Sequence, residues 1–153
     1  MAFSCSEIYD PRTVALDLRA TTQNDAILEL SGLLRDAGQI SEYYKFADAV
    51  MEREGRSSTN TGEGIAFPHA RTDLVTDIVL AVGRSKSGVQ FPGSDSLVHL
   101  VFLIGVPQKM ITNYLVCVGS IARAIKPDEA RTALMNAGTP EEFVAVMRDA
   151  PSL

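Results

Sequence analysis

A chain of 153 residues that is 46% hydrophobic and 22% charged, with a formal net charge of -5, has the composition of one ordinary soluble globular domain. At this length roughly 70% of the unfolded surface is buried on folding, so neither a metal nor a disulfide is needed to hold a core. Fourteen Lys and Arg against nineteen Asp and Glu, with no basic run longer than two, leave no footprint for a phosphate backbone, and nucleic acid is not an expected partner. The longest nearly apolar stretch, 97–107, is interrupted by His99 and falls far short of the about 20 residues that span a bilayer. The opening MAFSCSEIYDPR lacks a basic start followed by an apolar block. No membrane insertion is expected, and the cytoplasm is the expected compartment. Cys5 and Cys117 are far apart and form no CxxC motif. Cys117 reads as a small core hydrophobe and Cys5 as part of a fraying segment, without redox chemistry.

Along the chain, VALDL (14–18) alternates like a strand. Thr22 with Asp25 three residues on, then Ala26, Ile27, Leu30, Leu33 and Leu34 and a stop at Gly38, predicts a capped helix. Ser41 is the expected cap of a second helix with Tyr44, Ala47, Val50 and Met51 on one side and Gly55 past its last turn, which brings Arg53 and Glu54 to its C-terminal end. The small polar run GRSSTNTGEG (55–64) reads as a loop, and 65–67 as a short strand that Pro68 would end or push to a sheet edge. The runs 77–83 and 97–104 are short, apolar and rich in β-branched residues, as buried central strands are. After Pro107 a period near 3.6 puts Met110, Ile111, Tyr114, Leu115, Val118, Ile121, Ala122 and Ile125 on one wide helical face. A short helix is expected near Pro127, and a last one behind Thr139, Pro140 and Glu142, whose spacing is that of a capping box. No linker, repeat or low-complexity tract interrupts the pattern. The expectation is a single α/β domain over 1–153, its core about 14–147, with a mixed buried sheet flanked by helices.

Chemistry concentrates around His69. His99, inside an apolar strand, is expected to be an edge or hydrogen-bonded residue, whereas His69 follows Pro68 and a Gly/Ser/Thr loop and precedes Arg71 by two residues. Gly62 and Gly64 would let backbone N–H groups converge on an anion. Ser57, Ser58, Thr59 and Thr61 would add hydroxyl donors, and Arg53 and Arg71 guanidinium forks suited to phosphate oxygens. An imidazole with an ordinary pKa of about 6.5 is substantially neutral near pH 7 and can attack phosphorus through one nitrogen while the other holds a proton. On spacing alone a plain turn and a helix-ending arginine explain the same residues as well as a phosphate site does. Gly62 and Gly64 lack the third glycine of a dinucleotide fingerprint. Glu63, His69 and Asp73 are too few and too irregular for a metal, and no GxSxG elbow provides a serine nucleophile. No cofactor is implied.

The run REGRSSTNTGEGIAFPHAR (53–71) resembles the active-site segment of the enzyme IIA domain, fructose/mannitol and nitrogen-regulatory type, of the phosphoenolpyruvate-dependent phosphotransferase system. Arg53, Glu54, Ser58, Thr59, Gly62, Gly64, Ala66, Pro68 and His69 follow its pattern without a gap, and the similarity of element order extends over about 14–147. The resemblance implies that His69 accepts a phosphoryl group from the histidine-containing phosphocarrier protein. It is then passed to a cysteine on enzyme IIB or used as a regulatory signal, with Arg53 steadying its charge. Many members carry a second histidine early in the long helix. Counting from Val106 and Pro107 places Tyr114 there, a residue that donates a hydrogen bond but carries no positive charge. The resemblance leaves three readings: a transferring phosphocarrier, a regulatory module switched by phosphorylation of His69, and a degenerate member that keeps the fold and binds without transfer. With no fused enzyme IIB or membrane segment in the sequence, the expectation is a chain nearer the nitrogen-regulatory branch than a transporter subunit, although stand-alone sugar-specific members also occur in the family.

Overall fold

A computed structural model describes residues 5–149. Two strands, β4 (Val79–Val89) and β5 (Val98–Val106), pair antiparallel and are buried on both faces. Because side chains alternate along a strand, Leu80, Val82, Leu100, Phe102, Ile104 and Val106 enter one core, while Val79, Ala81, Val101 and Leu103 enter another. β1 (Val14–Ala15) pairs parallel to β4. On the far side of β5, β2 (Ile65–Ala66) and β3 (His69–Arg71) add in parallel at successive positions. The result is a five-stranded mixed sheet of order β1-β4-β5-β2, with β3 also against β5.

Helices cover each face. α1 (Gln23–Asp36) and α2 (Tyr43–Arg56) pack Ile27, Leu30, Leu34, Phe46, Ala47 and Val50 on one side. α3 (Ile111–Ile125), α4 (Asp128–Asn136) and α5 (Pro140–Arg148) pack Tyr114, Cys117, Ile121, Leu134, Phe143 and Met147 on the other. This is the mixed buried sheet flanked by helices that the periodicity implies. Local signals act as expected at several ends. Thr22 Oγ1 accepts the Asp25 N–H at 3.4 Å and Thr139 Oγ1 accepts the Glu142 N–H at 3.1 Å. Gly38 sits beyond α1 with φ +74°, a conformation that suits glycine.

Several expectations are corrected. The 14–18 strand shrinks to two residues, and the 77–83 strand grows to Val89. The growth was hidden by polar residues that the fold buries: Arg84 is 4% exposed and donates to the carbonyls of Leu16 (2.9 Å), Leu134 (3.0 Å) and Ala137 (2.7 Å). The residue at the N-cap of α2 is Glu42 rather than Ser41, with no side-chain cap bond. Gly55 lies inside α2 rather than past its end, since a glycine costs a helix only about 1 kcal/mol. Tyr44 is 75% exposed, and the buried stripe runs through Phe46, Ala47 and Val50. On α3, Leu115 and Val116 are 63% and 57% exposed and Ala122 is also exposed, so its buried face is narrower than the wide stripe expected. Cys5 belongs to a 3-10 turn (Cys5–Ile8) that packs on the core, and its sulfur lies 2.7 Å from that of Cys117.

One close approach fixes where α2 lies. A Cβ added at Gly105 of β5 would fall 2.7 Å from Phe46 Cε1 and 3.0 Å from Val79 Cγ2, so the absence of a side chain lets α2 rest directly on the sheet. Gly105→Ala is expected to destabilise the protein by about 1–3 kcal/mol through overpacking, read as a lower urea midpoint with an unchanged slope.

Candidate functional site

Pro68 interrupts the edge strand between β2 and β3 because it has no N–H to donate, although its carbonyl accepts the Ile104 N–H at 3.0 Å. The strand resumes at His69 along the sheet edge, which is the second of the two outcomes a proline there allows. In register, His69 stands beside Ile104, Ala70 beside Gly105 and Arg71 beside Val106. Alternation then turns Ala70 into the α1/α2 core and places His69 on the α3 side of the sheet. There the imidazole meets Tyr114, with ring centroids 5.1 Å apart and planes tilted by 33°.

The geometry sets the imidazole tautomer. His69 Nδ1 lies 3.0 Å from the Phe67 carbonyl oxygen. A carbonyl only accepts, so Nδ1 carries the proton of the neutral ring and Nε2 keeps the lone pair. Burial lowers the pKa of His69 below its ordinary value. The Phe67 carbonyl and Glu54 oppose that shift, and the positive charge of Arg53 reinforces it. Burial raises the pKa of the Tyr114 phenol, so it holds its proton at neutral pH.

A cleft of about 380 Å³ opens at this point, lined by Arg53, Arg56, His69, Arg71, Ile111 and Tyr114 together with Ala49, Glu52, Ala70 and Val106. Arg53 Nη1 donates to the Ser57 carbonyl at 3.0 Å, which anchors that guanidinium at the end of α2. Three arginines line the cleft with the neutral imidazole, Arg56 being 3.9 Å from the Glu52 carboxylate, and Arg53 and Arg71 suit a dianionic phosphoryl group. Among the described residues no cluster of three or more His, Cys, Asp or Glu side chains is placed to hold a metal ion.

His69, Arg53, Arg71 and Tyr114 thus line one cleft. Ser58, Thr59, Gly62 and Gly64 do not line it. The loop N–H groups expected to cradle an anion are largely used within the loop: Asn60 N–H donates to Ser58 Oγ (3.1 Å), Gly62 N–H to Asn60 Oδ1 (2.9 Å) and Glu63 N–H to Thr61 Oγ1 (3.2 Å). Gly62 and Gly64 both have φ +84° and serve the turn itself. Thr59 works at one remove from the cleft. Its hydroxyl donates to Glu54 Oε1 and accepts the Phe67 N–H at 3.2 Å, so the residue whose carbonyl holds His69 is held in turn.

Glu54 is the part that sequence reasoning missed. The sequence places it only at the C-terminal end of α2, without a role of its own, yet it is 5% exposed. Besides the Thr59 hydroxyl it accepts the Gln23 Nε2–H at 2.7 Å and the Thr59 N–H at 3.2 Å. Only its place in the run beginning at Arg53 marked it. His99 is the bland residue expected, with Nδ1 2.8 Å from the Ser85 carbonyl.

Residues 7–150 match the family described as "Phosphoenolpyruvate-dependent sugar phosphotransferase system, EIIA 2". The chain belongs to this family. This EIIA chain is 31% identical over 137 residues to the PTS system fructose-specific EIIA component of Haloferax volcanii, covering 89% of each. It is 29% identical over 143 residues to the fructose-specific EIIABC component of Bacillus subtilis, of whose length it spans 22%. Nitrogen regulatory protein IIA-Ntr from Neisseria meningitidis superposes with a TM-score of 0.83 at 26% identity, covering 93% of this chain and 97% of that one. The fold also matches IIA mannitol from Escherichia coli, with a TM-score of 0.78 at 20% identity and coverage of 90% and 97%. No helix among the described residues of this EIIA chain is long and apolar enough to cross a membrane.

Two outcomes follow from the site's geometry. Thr59→Val keeps the shape but removes the hydroxyl between Glu54 and Phe67, and is expected to cost about 1–3 kcal/mol in urea unfolding. Burial lowers the folded pKa of His69, so an NMR titration is expected to give a midpoint below the ordinary value of about 6.5. Below about pH 6.5 the unfolded chain then binds the extra proton first. The stability this histidine contributes is present above that pH and is lost as pH falls through the folded pKa.

Proposed function

We propose that this chain is a phosphocarrier that accepts a phosphoryl group on His69 Nε2 from the histidine-containing phosphocarrier protein. The observation that carries the reading is the Nδ1 bond to the Phe67 carbonyl, which leaves Nε2 as the nucleophilic nitrogen of a cleft lined by three arginines. The Nε2 lone pair forms a bond to phosphorus as the donor's own P–N bond breaks, and the departing imidazole takes those electrons. Nδ1 keeps its proton throughout, and the Phe67 carbonyl accommodates the positive charge that develops on the ring. Arg53 and Arg71 stabilise the equatorial oxygens, and Tyr114 packs on the ring as a neutral phenol. Ser58, Gly62 and Gly64 serve through the loop, and Thr59 through Phe67.

Downstream, a cysteine thiolate of an enzyme IIB attacks the same phosphorus, the Nε2–P bond breaks and its electrons return to the imidazole. The fructose-specific relatives support this route. Use of the phosphorylated state as a regulatory signal is the second reading, supported by the likeness to IIA-Ntr in both fold and sequence. There the added charge of about -2 at the cleft would change which partner surface it accepts.

The test is intact mass after incubation with phosphoenolpyruvate, enzyme I and the phosphocarrier protein. An acid-labile phosphoryl adduct on the wild type, absent from His69→Ala, is expected; retention of the adduct by the variant would refute His69 as acceptor. No adduct from a cognate donor would leave a binding module that keeps the fold. Arg53→Ala is expected to slow phosphorylation about 10²-fold by removing charge stabilisation, and Arg53→Lys to restore only part of the rate, because an ammonium lacks the planar fork. Chase of the labelled protein with a fructose-type enzyme IIB separates the downstream routes: loss of label marks sugar transfer, and its persistence the regulatory use.

A further inference from the structure

The two cysteines are 112 positions apart in the chain, yet their sulfurs stand 2.7 Å from each other, within about 1 Å of the S–S bond length of about 2.05 Å. We propose that Cys5 and Cys117 form a reversible intramolecular disulfide when the protein meets a hydroperoxide, stapling the N-terminal turn to α3. Both partners are held in place by contacts that do not depend on the bond. Cys117 faces the core from α3 and is fully buried. Cys5 begins the turn Cys5–Ile8, which Arg148 of α5 holds through the Ser6 carbonyl (3.3 Å) and, just past the turn, the Tyr9 carbonyl (2.6 Å).

Their unequal exposure sets the order of events. Cys5 is partly exposed and Cys117 is not, so the oxidant reaches Cys5 first. The Cys5 thiolate attacks one peroxide oxygen, the O–O bond breaks and the other oxygen leaves as the alcohol or water, giving a sulfenic acid. The Cys117 sulfur then attacks the Cys5 sulfur, the S–O bond breaks, and hydroxide departs with the Cys117 proton as water. Two thiols are oxidised by two electrons and one peroxide is reduced. A thiol reductant reverses the bond by exchange at the exposed Cys5 sulfur. The staple lies one helical turn from Tyr114 on the same helix, so it fixes the α3 segment that packs against His69 while sparing every group lining the cleft.

The full chain is treated with hydrogen peroxide and followed by intact mass, peptide mapping and thermal unfolding. Expected are the loss of two hydrogens, a peptide linking Cys5 to Cys117, recovery of both thiols with dithiothreitol, and a Tm higher by about 5 °C or more in the oxidised form, because the bond closes a loop of over one hundred residues. Cys5→Ser and Cys117→Ser should each abolish the two-hydrogen loss, and Cys5→Ser, at the partly exposed site, should do so without altering the fold seen by circular dichroism. Oxygen addition at the two sulfurs without a cross-link, a link found only between chains, or a Tm no higher in the oxidised form would overturn the proposal.

Discussion

The arrangement depends on one strand, β5, being buried on both faces and paired along both edges. β4 occupies one edge, and β2 and β3 share the other, with Pro68 between them. Because the side chains of β5 alternate between two cores, each strand that pairs with it inherits a face assignment. That is why His69 and Ala70, adjacent in sequence, look in opposite directions, one toward Tyr114 and the other into the α1/α2 core. Gly105 makes the arrangement tight by letting Phe46 rest on the strand, which sets the position of α2 and so the origin of Arg53.

A buried carboxylate then carries the precision of the sheet into the loop. Glu54 is taken out of water at a cost that only full hydrogen bonding offsets. It meets that requirement with donors from α1 (Gln23) and from the loop (Thr59). Thr59 in turn holds the Phe67 N–H, and the Phe67 carbonyl holds His69 Nδ1. A continuous set of bonds therefore runs from the first helix to the imidazole, and it governs which ring nitrogen is free. The loop glycines belong to this support rather than to the cleft. Their positive φ angles shape a turn whose N–H groups are largely occupied by neighbouring side chains.

Electrostatics at the cleft favours an anion while keeping the imidazole neutral. Arginines line the opening, and burial with the Arg53 charge holds the pKa of His69 down. These tendencies agree under the proposed reading, because the neutral ring is the nucleophile and the group it would receive is negatively charged. Tyr114 fits the same logic: a phenol that keeps its proton packs on the ring without adding another positive charge.

The α/β class, the two central strands, the caps at Thr22 and Thr139 and the run from Arg53 to Arg71 were legible in the sequence. The class, the strands and the caps rest on local periodicity or on short-range hydrogen bonding, which the chain encodes within a few residues, whereas the run was marked by its family resemblance. The grouping of His69, Arg53, Arg71 and Tyr114 was legible too, although spacing alone left a plain turn equally good and the family resemblance tipped the balance. The length of β4 was not, because Arg84 reads as exposed until three carbonyls from distant segments surround it. Nor were the burial of Glu54, the tautomer of His69 and the meeting of Cys5 with Cys117. Those features depend on groups brought together across the sheet by burial, and residue types and spacing carry no record of which distant carbonyl, carboxylate or sulfur will be opposite. The sequence alone determined the fold class and most of the elements, and through the family resemblance it pointed to His69; tertiary packing decided which atoms of those residues are free to act.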